Sequence, residues 1–113
     1  MTFVESNEKV AETLREAAAD LGVERRCEFF VMRAERAVAR LERQYDVVFA
    51  DPPFALGFPA VALGALRTRN LLAPNAVVVY EHDGHLSPET PGFVTTREER
   101  YGDVVIAFLR AEE

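Results

Sequence analysis

Tyr45-Asp46-Val47-Val48-Phe49-Ala50-Asp51-Pro52-Pro53-Phe54 is apolar from Val47 to Ala50 and then stops at an acid, two prolines and an aromatic ring. The apolar core of this run is too short for a helix and contains β-branched residues. It reads as a strand buried on both faces. Each proline fixes its own φ and moves its predecessor away from helix, so the chain beyond Ala50 is expected to be a stiff, extended loop. In an open α/β sheet, ligands bind beyond the carboxyl ends of the strands, which makes this loop the expected site.

Working outward, the segments before it alternate. Thr2 to Glu5 is a short apolar stretch ending in an acid. Ser6 or Asn7 is suited to cap a helix with apolar residues Val10, Leu14, Ala17, Ala18 and Leu21, which Gly22 ends. Cys27 to Met32 is a second apolar run, a strand with Cys27 as a small core residue. Ala34, Ala37, Val38 and Leu41 follow at i, i+3, i+4 and i+7, the spacing of a short amphipathic helix.

The segments after it alternate too. Phe58 to about Arg67 reads as a helix with Pro59 in its first turn, and Asn70 to Asn75 as a turn. Ala76 to His82 is a second fully buried strand. Asp83 to Gly92 is a loop. Phe93 to Glu98 and Val104 to Leu109 are strands around Arg100-Tyr101-Gly102-Asp103, a hairpin signal. Strand–helix alternation of this kind implies a parallel sheet with right-handed crossovers, and the closing hairpin adds an antiparallel strand.

Composition bounds the function. With 113 residues, 49% of them hydrophobic, the chain is expected to form a single domain over 1–113, near the lower size limit for helices on both faces of a sheet. The net charge is −6 and Lys9 is the only lysine. That excludes a free-standing nucleic-acid binder held by phosphate contacts, although the many arginines leave a nucleic-acid substrate open. Cys27 is the only cysteine, in keeping with a reducing compartment. The sequence has no apolar run of membrane-spanning length, and Met1-Thr2-Phe3-Val4-Glu5 lacks the features of a signal peptide, so a cytoplasmic location and no membrane partner are expected. His82 and His85 flank Asp83, but no third soft ligand or helical H-x-x-x-H spacing accompanies them, and no metal is expected.

These residues together resemble the class I S-adenosylmethionine-dependent methyltransferases, and among them the RsmD type, which methylates the exocyclic N2 of a guanine in small-subunit ribosomal RNA. Thr2-Phe3-Val4-Glu5 is similar to the second strand of that fold with its terminal acid. Asp51-Pro52-Pro53-Phe54 resembles the amino-methyltransferase motif, and Val79-Tyr80-Glu81-His82 and Arg100-Tyr101-Gly102-Asp103 resemble two later signatures of the family. The resemblance implies a Rossmann-like sheet, mostly parallel with a terminal antiparallel hairpin, and lacking its first strand. The glycine-rich loop that lies under the methionine part of the cofactor is also lacking, since no G-x-G follows a strand here. The first strand is central in that fold. Its absence leaves three arrangements: its two flanking strands close on each other, two chains pair through the exposed edges, or residues preceding Met1 supply the strand.

The resemblance also assigns roles. Asp51, Pro52, Pro53 and Phe54 form the catalytic loop. The guanine amino group is a poor nucleophile because its lone pair is delocalised, and hydrogen bonds from its N–H groups to the Asp51 carboxylate and the Pro52 carbonyl would orient that lone pair. Phe54 would stack on a base turned out of its helix. Glu5 would accept hydrogen bonds from the ribose hydroxyls of S-adenosylmethionine. Arg33 stands where the family has an acid or amide near the adenine, and solvation is the simpler reading of it. Tyr80 and Glu81 would line the substrate side, the alternative being a buried tyrosine and a partnered acid. The implied partner is small-subunit rRNA or the assembled subunit. The competing readings are an adenine-N6 DNA methyltransferase and a non-catalytic binding remnant of the same fold.

Overall fold

A computed structural model describes residues 1–51, 60–85 and 88–112. Those residues form two compact units, Met1–Leu41 and Glu42–Glu113.

In the first unit, β1 (Thr2–Val4) pairs in parallel with β2 (Glu28–Phe30). The register Phe3↔Phe29 brings the two rings into a stacked contact at 5.3 Å, and Arg15 lies over Phe29 at 5.3 Å. Between the strands runs α1 (Glu8–Asp20). Asn7 is its N-cap, accepting from Lys9 N at 2.9 Å and Val10 N at 3.2 Å. Gly22, at φ 72°, turns the chain out of the helix. Of the expected stripe Ala18 is buried and Leu14 half-buried, whereas Val10 and Leu21 are 44% and 76% exposed and Ala17 is exposed; Ala11 is buried in addition. A short helix, α2 (Ala34–Ala37), then places Ala37, Val38 and Leu41 in the buried set, as their spacing predicts. Cys27 is half-buried, not a core residue, with its thiol 3.4 Å from Val23 O.

Asn7→Ala tests the reading of α1. It removes the acceptor for two otherwise unpaired amide donors, and a loss of about 1 kcal/mol in unfolding free energy is expected in urea denaturation. An unchanged midpoint would contradict the cap.

The second unit is a four-stranded sheet in the order β3-β4-β6-β5. Its members are β3 (Tyr45–Ala50), β4 (Leu72–Asp83), β5 (Phe93–Tyr101) and β6 (Val104–Ala111), with α3 (Ala60–Thr68) between β3 and β4. β3 and β4 run parallel, and β6 is antiparallel to both β4 and β5. The expected parallel pairings and terminal antiparallel hairpin are present, but in two sheets and with as many antiparallel as parallel pairings. β1 pairs with β2 and β3 with β4.

Local chemistry accounts for the joints. Asn70 and Asn75 adopt left-handed φ of 56° and 62°, which asparagine tolerates better than most residues. Pro74 cannot donate to a ladder. The β3–β4 register accordingly jumps from Tyr45↔Leu72 to Val47↔Val77, and regular pairing begins where the sequence predicts the strand. Gly102 (φ 61°) occupies the first central position of a two-residue turn between paired Tyr101 and Val104, the place at which a type II′ hairpin needs glycine.

One face of this sheet is buried: Val78 and Tyr80 on β4 and Val105, Ala107 and Leu109 on β6, joined by Ala62, Leu63 and Leu66 of α3. The C-terminal end of α3 is tied to the sheet by Arg67, which donates to Glu112 O at 2.9 Å. The other face is half-open. β3 is not buried on both faces as its composition suggests, because it is the edge strand: Val47 is 47% and Phe49 78% exposed. β4 likewise alternates between buried and half-buried positions and is not fully buried. No helix among the described residues is long and apolar enough to cross a membrane.

Candidate functional site

The site forms where β3 and β4 end side by side. Their parallel register pairs Ala50 with Tyr80. One step further, Asp51 stands beside Glu81, and the two carboxyl groups share a hydrogen bond. That bond, loss of hydration, and the negative charge of Asp51 together raise the Glu81 pKa above its usual 4.5. When protonated, Glu81 donates to an Asp51 carboxylate that still presents acceptor lone pairs. Asp51 itself is exposed at the rim.

Glu81→Gln reads this pair directly. The native state holds the Glu81 proton more tightly than the unfolded chain does, so its contribution to stability is present at acid pH and fades as pH rises past 4.5 through the raised folded-state value. A glutamine amide donates to Asp51 at every pH. The variant is expected to gain stability relative to the parent as denaturation midpoints are followed from acid to neutral pH. Parallel curves would show that the pair does not exist.

The other residues expected at the site separate. Pro52, Pro53 and Phe54 lie outside the described residues. Tyr80 and Glu81 are neighbours in sequence on opposite faces of β4: Tyr80 is 1% exposed on the buried face, while Glu81 is half-buried beside Asp51. Tyr80 thus matches the buried-tyrosine alternative and does not join the carboxyl pair. Glu5 and Arg33 belong to the first unit. Glu5 follows β1, and its Oε1 accepts from Asn7 N at 3.0 Å, leaving Oε2 for a hydroxyl donor. Arg33 is the N-cap residue of α2, with its side chain 70% exposed and paired to Glu35 at 3.4 Å. It is a solvated ion pair and offers no acceptor to an adenine amino group. Glu5 thus has one carboxylate oxygen to offer a donor, whereas Arg33 offers donors only. Among the described residues no group of three acids, histidines or cysteines could hold a metal.

The pairing of Asp51 with Glu81 was not legible from either motif alone. Its signal was that two apolar runs of equal kind each end in an acid, so a parallel register aligning the runs also aligns the acids.

Residues 1–110 match the family described as "Conserved hypothetical protein 95". The chain is similar to "Putative rRNA methyltransferase YlbH" of Bacillus subtilis (strain 168), with 28% identity over 113 residues, covering 96% of this chain and 61% of YlbH. It therefore spans about three fifths of that curated relative's length. A conserved hypothetical protein of Streptococcus pyogenes is 31% identical with a TM-score of 0.87, over 98% of this chain and 71% of that one. A "putative methylase" of Haemophilus influenzae is 27% identical with a TM-score of 0.83, over 99% and 72%. With the sheet order, the acid-ended parallel strands and the Asp51-Pro52-Pro53-Phe54 motif already in place, the match over nearly the whole sequence makes this chain a member of the "Conserved hypothetical protein 95" family, that of the RsmD-type methyltransferases.

Proposed function

We propose that this chain carries the acceptor side of a methyltransferase acting on the exocyclic N2 amino group of a guanine in small-subunit ribosomal RNA, with S-adenosylmethionine as methyl donor. The observation that carries the reading is the Asp51–Glu81 pair at the carboxyl ends of two adjacent parallel strands. Asp51 accepts a hydrogen bond from the amino group, holding the nitrogen and aiming its lone pair outward from the rim. Glu81, when protonated, donates to Asp51 and fixes that carboxylate in one orientation.

Transfer of labelled methyl from S-adenosylmethionine, compared between under-methylated small subunits and duplex DNA, tests the substrate class. Incorporation confined to the small-subunit RNA is expected. Equal incorporation into duplex DNA would favour the adenine-N6 alternative instead.

A second reading, a non-catalytic binding domain, is favoured by the ion-paired Arg33. Calorimetry with S-adenosylmethionine separates the two: heat of binding supports the enzyme, and none at millimolar ligand supports the binding domain.

A further inference from the structure

The buried face of the sheet in the second unit holds a feature that the methyl-transfer reading does not use. A cavity of about 330 Å³ opens there, at the size of a small-ligand site. Tyr80 and His82 of β4 and Val105, Ala107 and Leu109 of β6 form its buried floor. Thr95, Glu98 and Arg100 of β5 stand on its rim. Its accessible lining is mainly polar, set by Thr95, Glu98 and Arg100 over a small buried floor.

The depth and the polar groups are set by specific residues. Ala107, the smallest floor residue, pairs across the ladder with Glu98, and both line the cavity. Gly84 lets Arg100 approach closely: a Cβ there would collide with Arg100 Nη1 and lie 3.1 Å from Asp103 O. Arg100 Nη2 in turn donates to Gly84 O at 3.3 Å, which holds the guanidinium at the mouth. His82 is 7% exposed, and its Nδ1 lies 2.9 Å from Asp83 O. A carbonyl can only accept, so Nδ1 carries the hydrogen, and Nε2 has no partner among the described residues. Glu98 likewise has no ion-pair partner among them.

Glu98 and Arg100 are two residues apart on one face of one strand, about 7 Å along it. A carboxylate there accepts a pair of N–H groups, and a guanidinium donates to a pair of acceptors. Guanine presents both in one plane: N1–H and the N2 amino group on one edge, O6 and N7 on another. Adenine has no N1–H and cannot serve the carboxylate in the same way. The His82 ring, set at 50° to Tyr80 with centroids 5.2 Å apart, is held in the floor with its edge as the part available to a ligand.

We propose that this cavity binds a second, unpaired guanine of the RNA substrate, on the face of the sheet opposite to the Asp51–Glu81 pair. The proposal rests on the reading of the chain as acting on RNA. The guanine held here is a recognition contact and is not methylated.

Titration of the isotope-labelled 113-residue chain with guanosine 5′-monophosphate, followed by NMR, tests it. Shifts are expected at His82, Glu98, Arg100 and Ala107, with adenosine 5′-monophosphate binding about tenfold more weakly. Glu98→Gln is expected to weaken guanosine monophosphate by about tenfold, and Ala107→Leu to abolish the shifts by filling the floor. Asp51→Ala leaves them unchanged. Glu98 is exposed, so its variant reports even if Ala107→Leu fails to fold. Absence of cavity shifts at millimolar nucleotide, or shifts unaltered by Glu98→Gln, would overturn the proposal. The two readings fail separately. Cavity shifts without methyl transfer support this site and contradict the activity, whereas methyl transfer without cavity shifts overturns this site alone.

Discussion

Asp51→Ala is expected to lower methyl transfer to small-subunit RNA by about 100-fold or more, the size of effect seen when one preorganised polar contact to a reacting group is removed. The substitution takes away the acceptor that orients the amino nitrogen and leaves Glu81 without its hydrogen-bond partner. Asp46→Ala is the control. Asp46 is an exposed acid on the same strand at its opposite end, so its removal changes the net charge identically. A change of less than about twofold is expected there, because a single distant surface charge is screened. If both variants lose activity alike, the effect is one of overall charge and not of a positioned carboxylate. If Asp51→Ala is as active as the parent, the carboxyl pair has no part in the reaction.

Leu63→Ala is expected to lower the unfolding free energy by about 2–5 kcal/mol, measured by urea denaturation. Leu63 is 1% exposed on the inner side of α3. Val61, two residues away on the same helix, is 72% exposed. Val61→Ala removes similar chemistry from water-facing surface and is expected to change stability by no more than about 0.5 kcal/mol. The contrast separates core packing from helix propensity, which favours alanine at both positions. Equal losses in the two variants would mean that α3 does not bury the face assigned to it.

How much of this was legible in the sequence depends on the range of the interaction that decided each feature. Asn7, Gly22 and Gly102 act within a few residues, and the cap, the helix end and the hairpin turn fall where the sequence places them. The order of strands and helices follows from periodicity, which is also local. Burial is not local. Val47 to Ala50 has the same composition whether its strand is central or at an edge, so only the sheet order reveals that Phe49 is exposed. Alanines in α1 were weaker candidates for the core than Val10 and Leu21 by hydrophobicity alone, yet Ala11 and Ala18 are the ones buried. Side-chain size, rather than apolarity, decided that contact.

The candidate site divides in the same way. Asp51 was recognisable from the two prolines behind it. That Tyr80 and Glu81 face opposite sides follows from the two-residue period of a strand, which the motif as a unit conceals. The pairing of Glu81 with Asp51 needed the register Ala50↔Tyr80, a contact thirty positions apart in sequence. The cavity over Ala107 needed three strands in register at once.

The account stands most directly on the identity of the methylated atom. Under-methylated small subunits incubated with this chain and S-adenosylmethionine, then digested to nucleosides and analysed by mass spectrometry, are expected to yield N2-methylguanosine, and an Asp51→Ala preparation is expected to yield none. Methyl recovered on adenine N6, or N2-methylguanosine formed equally by the Asp51→Ala chain, would contradict it.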